Sequence, residues 1–284
     1  MPDQIFPRGR GTLLFLALLA HTLFIPAASW LGALCAGLSI PVLCIIFLGI
    51  CRKTGTTSIW DSLHRAPKWP RRVLALLLMV SAAWFAFRTA QNSASFLIET
   101  ALVKWPLWLG VIALLVLGWL IAHQGAPAVF LWAIPMAWLA GFIILLSLVL
   151  SMPDWQVNKS MLTGAFSLGD VFRQFLAVLP ATIALLLFSG HDDALPQGKA
   201  LVFGGLCAAL LTGLTVFRAS AVLGANCARA ISYPSYAAAG VFELGTLARS
   251  EVIFGMAFAV CMTARIALFC AVVRTGWQLM RGKS

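Results

Sequence analysis

Acidic residues are scarce in this chain, which has nine Asp and Glu against twenty Lys and Arg in 284 residues. None of the acidic residues falls in the middle of a long apolar run, whereas a proton-coupled transporter usually relies on a buried carboxylate relay. The excess positive charge does not indicate a nucleic-acid partner, because the basic residues concentrate beside apolar runs, as the positive-inside bias produces. We therefore predict that the chain binds a lipid bilayer and no nucleic acid.

Motifs for catalysis and metal binding are also missing. The seven cysteines form no CxxC pair and no His/Cys cluster with metal-ligand spacing, and the four histidines are isolated from one another. The chain has no GxSxG, no HExxH and no Gly-rich phosphate loop. We therefore expect no enzyme activity, no catalytic residue, no metal site and no cofactor.

Apolar residues dominate the composition instead, since 61% of the chain is hydrophobic and only 10% is charged. A helical membrane span needs about 20 mostly apolar residues. Eight runs reach or approach that length, and they cover residues 12–28, 30–51, 73–97, 105–122, 128–151, 172–188, 200–224 and 252–273. The sequence therefore predicts an all-α polytopic membrane protein, with a single transmembrane domain over residues 1–284.

The distribution of Lys and Arg predicts the orientation of these spans. With a cytoplasmic N-terminus, the cytoplasmic segments hold twelve basic residues and the external segments hold four. Both termini are therefore expected in the cytoplasm. The polar segment between the last two runs then lies outside, and its spacing predicts an amphipathic helix over residues 233–249, with Pro234 in its first turn. An interfacial helix without a special role is the competing interpretation.

Prolines interrupt three of the predicted spans. Pro26, Pro135 and Pro180 each remove a backbone donor. Irregular backbone at membrane depth is tolerated where it is buried in protein or lines a cavity, and breaks in spans one and six are typical of five-plus-five inverted-repeat transporters. For each proline, a simple packing kink is the alternative.

Two ionisable residues inside the predicted spans have more than one interpretation. His21 lies in the first run and is either part of a functional site or a neutral packing residue. Arg265 lies about 21 Å along a helix from Glu251, in the inner half of the last span. Its guanidinium either faces a polar environment or extends to the cytoplasmic surface.

The stretch GANCARAISYPSYAAAGVFELGTLARSEVIFGMAFAVCMTARIALF, residues 224–269, resembles the spore germination permease family, the GerAB-like B subunits of germinant receptors. The family shows a glycine, a YP or FP pair, a Gly-acid element, an R-x-[DE] pair and a basic residue in the next helix. The corresponding residues here are Gly224, Tyr233, Pro234, Glu243 with Gly245, Arg249, Glu251 and Arg265. ASWLGALCAGL, AHQGAPAVFLWAIPMAW and FSLGDVFRQFLAVLP resemble the family's entries into spans two, five and six.

The resemblance implies a fold similar to that of the amino acid–polyamine–organocation transporters. That LeuT/APC-like fold has ten spans, with helices one and six broken and a helix over the outer mouth between spans seven and eight. Compared with it, spans nine and ten are expected to be absent here, and the first span lacks the family's glycine.

The resemblance also implies a function. We expect a permease-like subunit of a spore germinant receptor that senses a small, amino acid-like nutrient in the spore inner membrane. A larger A subunit and a lipoprotein C subunit are the implied partners. The alternatives are a secondary transporter of amino acids or other small solutes, and a structural or assembly subunit with a degenerate ligand site.

Candidate site residues follow from the predicted breaks and from the resemblance. The residues expected to line the ligand are His21, Thr22, Phe24, Pro26, Phe175 and Leu179. The residues expected to serve gating or structure are Tyr233, Pro234, Glu243, Arg249, Glu251 and Arg265.

Overall fold

The chain folds into helices, and no strand occurs among the residues that the computed structural model describes. These are residues 2–26, 30–54, 60, 63, 65–101, 105–157, 167–188, 194–241 and 250–281. The long helices are α1 (Pro2–Leu19), α2 (Trp30–Thr54), α3 (Lys68–Thr100), α4 (Leu107–Ala122), α5 (Ala126–Leu150), α6 (Leu168–Leu186), α7 (Ala194–Leu223) and α10 (Ser250–Arg281). The short ones are α8 (Ala225–Ala230), α9 (Pro234–Ala237) and the 3₁₀ turns Thr22–Phe24, Met152–Asp154 and Ala238–Gly240.

Most of the long helices suit a membrane environment. Six of those described, α2, α3, α5, α6, α7 and α10, are long and apolar enough to cross a bilayer, and α4 is a shorter apolar helix. The prediction of an all-α polytopic membrane protein is confirmed. Helix α1 does not meet the same criteria because it carries Asp3, Arg8 and Arg10 in 18 residues.

Helix α1 lies at the centre of the protein despite these charges. Leu13, Leu14, Leu16 and Leu19 are fully buried, so the second half of the helix is largely enclosed by its neighbours. It contacts α5, α6, α7 and α10, while α2 packs on α6 and α7. On the other side α10 contacts α3, α4 and α5. The helices thus form one group around α1 (α2, α6 and α7) and another around α10 (α3 and α4), with α5 touching both central helices.

Glycines bring α1 and α7 into direct backbone contact. A Cβ added to Gly204 of α7 would overlap the carbonyl oxygen of Gly11 on α1, and one added to Gly11 would overlap the carbonyl oxygen of Ala200. Small residues at helix crossings allow this approach in membranes, where close packing and not hydrophobicity drives association.

The first predicted span is wrong in position. Helix α1 ends at Leu19, well before Pro26, and a turn and the 3₁₀ helix Thr22–Phe24 follow. The missing N–H of Pro26 therefore does not cause the break, because Pro26 lies beyond it. The helix ends where the side chains of His21 and Thr22 form hydrogen bonds to neighbouring helices. Irregular backbone at membrane depth is tolerated where it is buried in protein in this way.

The predicted break at Pro180 is also wrong, because α6 runs through this residue without interruption. Helix α5 likewise continues through Pro135. A proline removes one helical hydrogen bond, and in a membrane helix neighbouring groups can accommodate that loss. The alternative, a packing kink inside a continuous helix, therefore stays open for both prolines.

The predicted helix over residues 233–249 is described only in its first half. It begins as expected at Pro234, forms α9 and continues into the 3₁₀ turn Ala238–Gly240. Glu243 and Arg249 lie outside the described residues.

Candidate functional site

A buried polar junction forms where α1 ends. His21 Nε2 and Gln174 Oε1 of α6 are 2.7 Å apart, and the hydroxyls of Thr22 and Thr212 of α7 are 3.0 Å apart. Gln174, Thr22 and Thr212 are buried. Buried polar side chains need hydrogen-bond partners, and here the partners lie on different helices. The pairs therefore tie the end of α1 to both α6 and α7.

A small cavity adjoins this junction. Its volume is about 20 Å³, and its walls come from the end of α1 and from α2, α6 and α7. The lining residues are Leu18, His21, Ile25, Ala33, Ala36, Gly37, Gln174, Val178, Ala208, Ala209 and Thr212. About 10–15 Å³ of such volume is needed for one water molecule, so the cavity is large enough for a water but too small for an amino acid.

Arg265 approaches the junction from α10. Its side chain is buried, and Nη2 donates to the carbonyl oxygen of Ala177 on α6 at 2.6 Å. Ala177 lies one turn after Gln174, and Arg265 is close enough to His21 for a Coulomb interaction. The structure therefore places the guanidinium between helices in the interior and not at the cytoplasmic surface.

The predicted ligand-lining residues do not all reach this cavity. Phe24 packs against His21, and Pro26 is exposed at the end of the break. On α6, Phe175 and Leu179 are only half-buried and do not line the cavity, because Gln174 and Val178 take that position. Neighbouring residues on a helix point about 100° apart, so a shift of one residue changes the face.

The segment of residues 233–240 packs over the end of α1. The ring of Tyr233 makes edge contacts with Phe24, at a centroid distance of 6.1 Å, and with Phe96 of α3, at 5.1 Å. Tyr236 also packs on Phe96, at 5.3 Å. Pro234 is buried in the first turn of α9. The 233–240 segment therefore links the break after α1 with α3.

Glu251 joins the same region from the first turn of α10. A Cβ added to Gly240 would lie 3.1 Å from its carboxylate oxygen Oε2, so the Glu251 side chain lies against the end of the 233–240 segment. The first turn of a helix is also favourable for a carboxylate.

Arg218 of α7 is fully buried and holds the 233–240 segment in place. Nη2 donates to the carbonyl oxygen of Ser235 at 2.7 Å, and Nη1 donates to the hydroxyl of Ser147 on α5. The guanidinium carbon lies 4.5 Å from the centre of the Phe254 ring, which is within cation–π range. Arg218 thus connects α5, α7 and α10 with the segment.

Three residues of this region were not predicted as site residues: Gln174, Thr212 and Arg218. Each is a polar residue inside an otherwise apolar run, and polar residues at membrane depth mark functional candidates. That signal was available in the sequence for all three.

Comparison with known proteins identifies the family but no curated relative. No curated protein matches the chain. The family model Spore_permease, described as spore germination protein, matches residues 5–283. Because this match covers nearly the whole sequence, the chain belongs to the spore germination protein family.

Proposed function

We propose that this protein is the permease-like membrane subunit of a spore germinant receptor and that it senses a small, amino acid-like nutrient. The observation that carries the proposal is the buried polar junction at the broken end of α1, where His21, Thr22, Gln174 and Thr212 converge beside a cavity. Transporter-like folds bind substrates at such breaks. Membership of the spore germination protein family supplies the process.

Under this proposal the structure corresponds to a closed state of the site. A cavity of about 20 Å³ cannot admit a nutrient. The ligand therefore binds after the helix group around α1 separates from its neighbours, and binding favours that separated conformation over the closed one. In a receptor, this shift in conformation is the signal passed on to other subunits.

The proposed partners and location rest on the resemblance to the B subunits of germinant receptors. A larger A subunit and a lipoprotein C subunit would receive the signal, in the spore inner membrane, with both termini of this chain in the cytoplasm. The excess of basic residues on that side of the predicted spans supports the orientation.

Gln174→Leu tests the proposed site. The substitution removes the partner of His21 and one polar group of the cavity, and a lost hydrogen bond to ligand and neighbour costs about 1–2 kcal/mol. We expect the nutrient concentration for half-maximal germination to rise roughly tenfold. The measurement is germination of spores that carry the variant as the sole copy of the gene, with the protein level checked by immunoblot.

Gln278→Leu is the matched control, because Gln278 is exposed near the end of α10. It is expected to leave the dose response unchanged. If Gln174→Leu spores contain normal amounts of the protein and respond like wild type, the ligand does not bind at this junction.

A secondary transporter is the second candidate function. The separate helix groups around α1 and α10 favour it, because alternating access is largely rigid-body motion of one bundle against another. The purified chain in liposomes distinguishes the two candidates. A receptor subunit is expected to show no nutrient accumulation above protein-free liposomes, whereas uptake by the chain alone would establish a transporter.

A further inference from the structure

Arg265 carries a charge that nothing in the described part of the protein neutralises. Its side chain is 8% exposed, on a helix that contacts both α1 and α6. The acidic residues whose side chains the structure describes lie at helix ends or in a 3₁₀ turn: Glu99, Asp154, Asp170 and Glu251. None of these four forms an ion pair with Arg265, whose one hydrogen bond to a described residue is to a neutral carbonyl.

The guanidinium of Arg265 also has more N–H donors than its described hydrogen bond uses. It offers five N–H donors, of which the Ala177 carbonyl accepts one. The Nε atom is buried and has no partner among the described residues. Burying a charge costs free energy unless the charge is paired and hydrogen-bonded. An anion is therefore the group that would best complement this buried cation.

The side chains described at the junction that Arg265 approaches carry no negative charge. His21 and Gln174 offer ring and amide nitrogens, and the nearby threonine pair offers hydroxyls. Guanidinium and carboxylate match in geometry, since two parallel N–H groups meet two oxygens. The Ala177 carbonyl can release the guanidinium at small cost, because as a helix carbonyl it also accepts a main-chain N–H four residues later.

We propose that Arg265 binds the carboxylate of the ligand and that the site therefore selects carboxylate-bearing solutes over amides and amines of the same size, which lack that carboxylate. This inference rests on the proposed function, which places the ligand beside His21 and Gln174. Arg218 is a weaker candidate, because Ser147 and Ser235 accept from its two terminal nitrogens and the Phe254 ring covers it, although its Nε also has no partner among the described residues.

The test compares matched acids and amides on the purified full chain in nanodiscs at constant salt. The probes are glycine and glycinamide, L-alanine and L-alaninamide, and L-leucine and L-leucinamide, and the readout is the concentration dependence of the thermal midpoint. At least one acid is expected to bind roughly ten- to a hundredfold more tightly than its amide, as the loss of a hydrogen bond to a charged group implies.

Arg265→Gln is expected to abolish this preference, so that acid and amide bind equally weakly. Arg265→Lys keeps the charge without the bidentate geometry and is expected to retain part of the preference. Arg88→Gln is the control, because Arg88 is exposed on α3, and it is expected to bind as wild type does. If Arg265→Gln fails to fold, the acid–amide ratio of Arg265→Lys decides the question, because a ratio equal to that of the wild-type chain would contradict the proposal.

The outcomes separate the two proposals. If acids and amides bind the wild-type chain equally, the carboxylate inference is wrong while the proposed ligand site stands. If the preference persists in Arg265→Gln, another residue recognises the carboxylate. If none of the six compounds changes the thermal midpoint, the proposal of an amino acid-like ligand fails, and the inference fails with it.

Discussion

Arg218→Met is expected to increase, roughly ten- to a hundredfold, the rate at which a maleimide modifies a cysteine placed at residue 22. Thr22 is fully buried in the closed structure, in the 3₁₀ turn that the 233–240 segment contacts. Arg218 holds this segment through the Ser235 carbonyl. A hydrogen bond from a charged group contributes about 1.5–3 kcal/mol, and 1.4 kcal/mol corresponds to a tenfold change in population.

Methionine is the appropriate replacement because it nearly preserves the length and packing of the arginine stem. It removes the desolvation cost of a buried cation and leaves the Ser147 hydroxyl and the Ser235 carbonyl without this donor. The folded state is therefore expected to persist while the 233–240 segment loses its attachment to α5 and α7. The increased labelling then reports opening of the segment and not global unfolding.

The measurement uses a chain with its seven cysteines replaced and Thr22→Cys introduced, purified in nanodiscs. Arg88→Met is the control, since Arg88 is exposed on α3 and the contact described for it is with the ring of Trp84. Equal labelling rates in the Arg218→Met and Arg88→Met chains, with thermal midpoints unchanged, would show that Arg218 does not hold the segment closed.

The helix content of this protein follows directly from its apolar runs. Helices such as α2 and α5 begin and end within a few residues of the runs that predicted them, because run length and bilayer thickness are closely related. Proline was a poor guide to helix breaks, since Pro135 and Pro180 lie inside continuous helices. Whether a proline ends a helix depends on neighbours that only the folded structure supplies.

The sequence predicted part of the candidate site, because polar residues are conspicuous in an apolar run. His21 and Thr22 stood out as polar residues in the first apolar run, and the structure places both at the junction. On α6 the prediction named Phe175 and Leu179, whereas Gln174 and Val178 line the cavity. Composition could not decide between the faces, because the lining face depends on how α1 and α7 pack against α6. The attachment of the 233–240 segment by Arg218 likewise joins residues 71 and 17 positions apart along the chain.

Gly204→Ala is expected to lower the thermal midpoint of the protein by roughly 5–10 °C, and Gly204→Leu to prevent folding. The added Cβ would overlap the carbonyl oxygen of Gly11, which is backbone and cannot rotate away. Overpacking costs about 1–3 kcal/mol even where side chains can adjust. One kcal/mol corresponds to about 2–4 °C for a soluble domain of 150–250 residues, which sets the scale of the expected shift.

Gly49→Ala on α2 is the matched control, because a Cβ at Gly49 would meet nothing within 4 Å. It is expected to leave the midpoint unchanged or to raise it slightly, since alanine is the better helix former. The measurement is thermal unfolding of the detergent-purified proteins followed by tryptophan fluorescence. A Gly204→Ala midpoint equal to that of Gly49→Ala would mean that α1 and α7 are not in backbone contact at this crossing. The central position of α1, on which the candidate site depends, would then need to be revised.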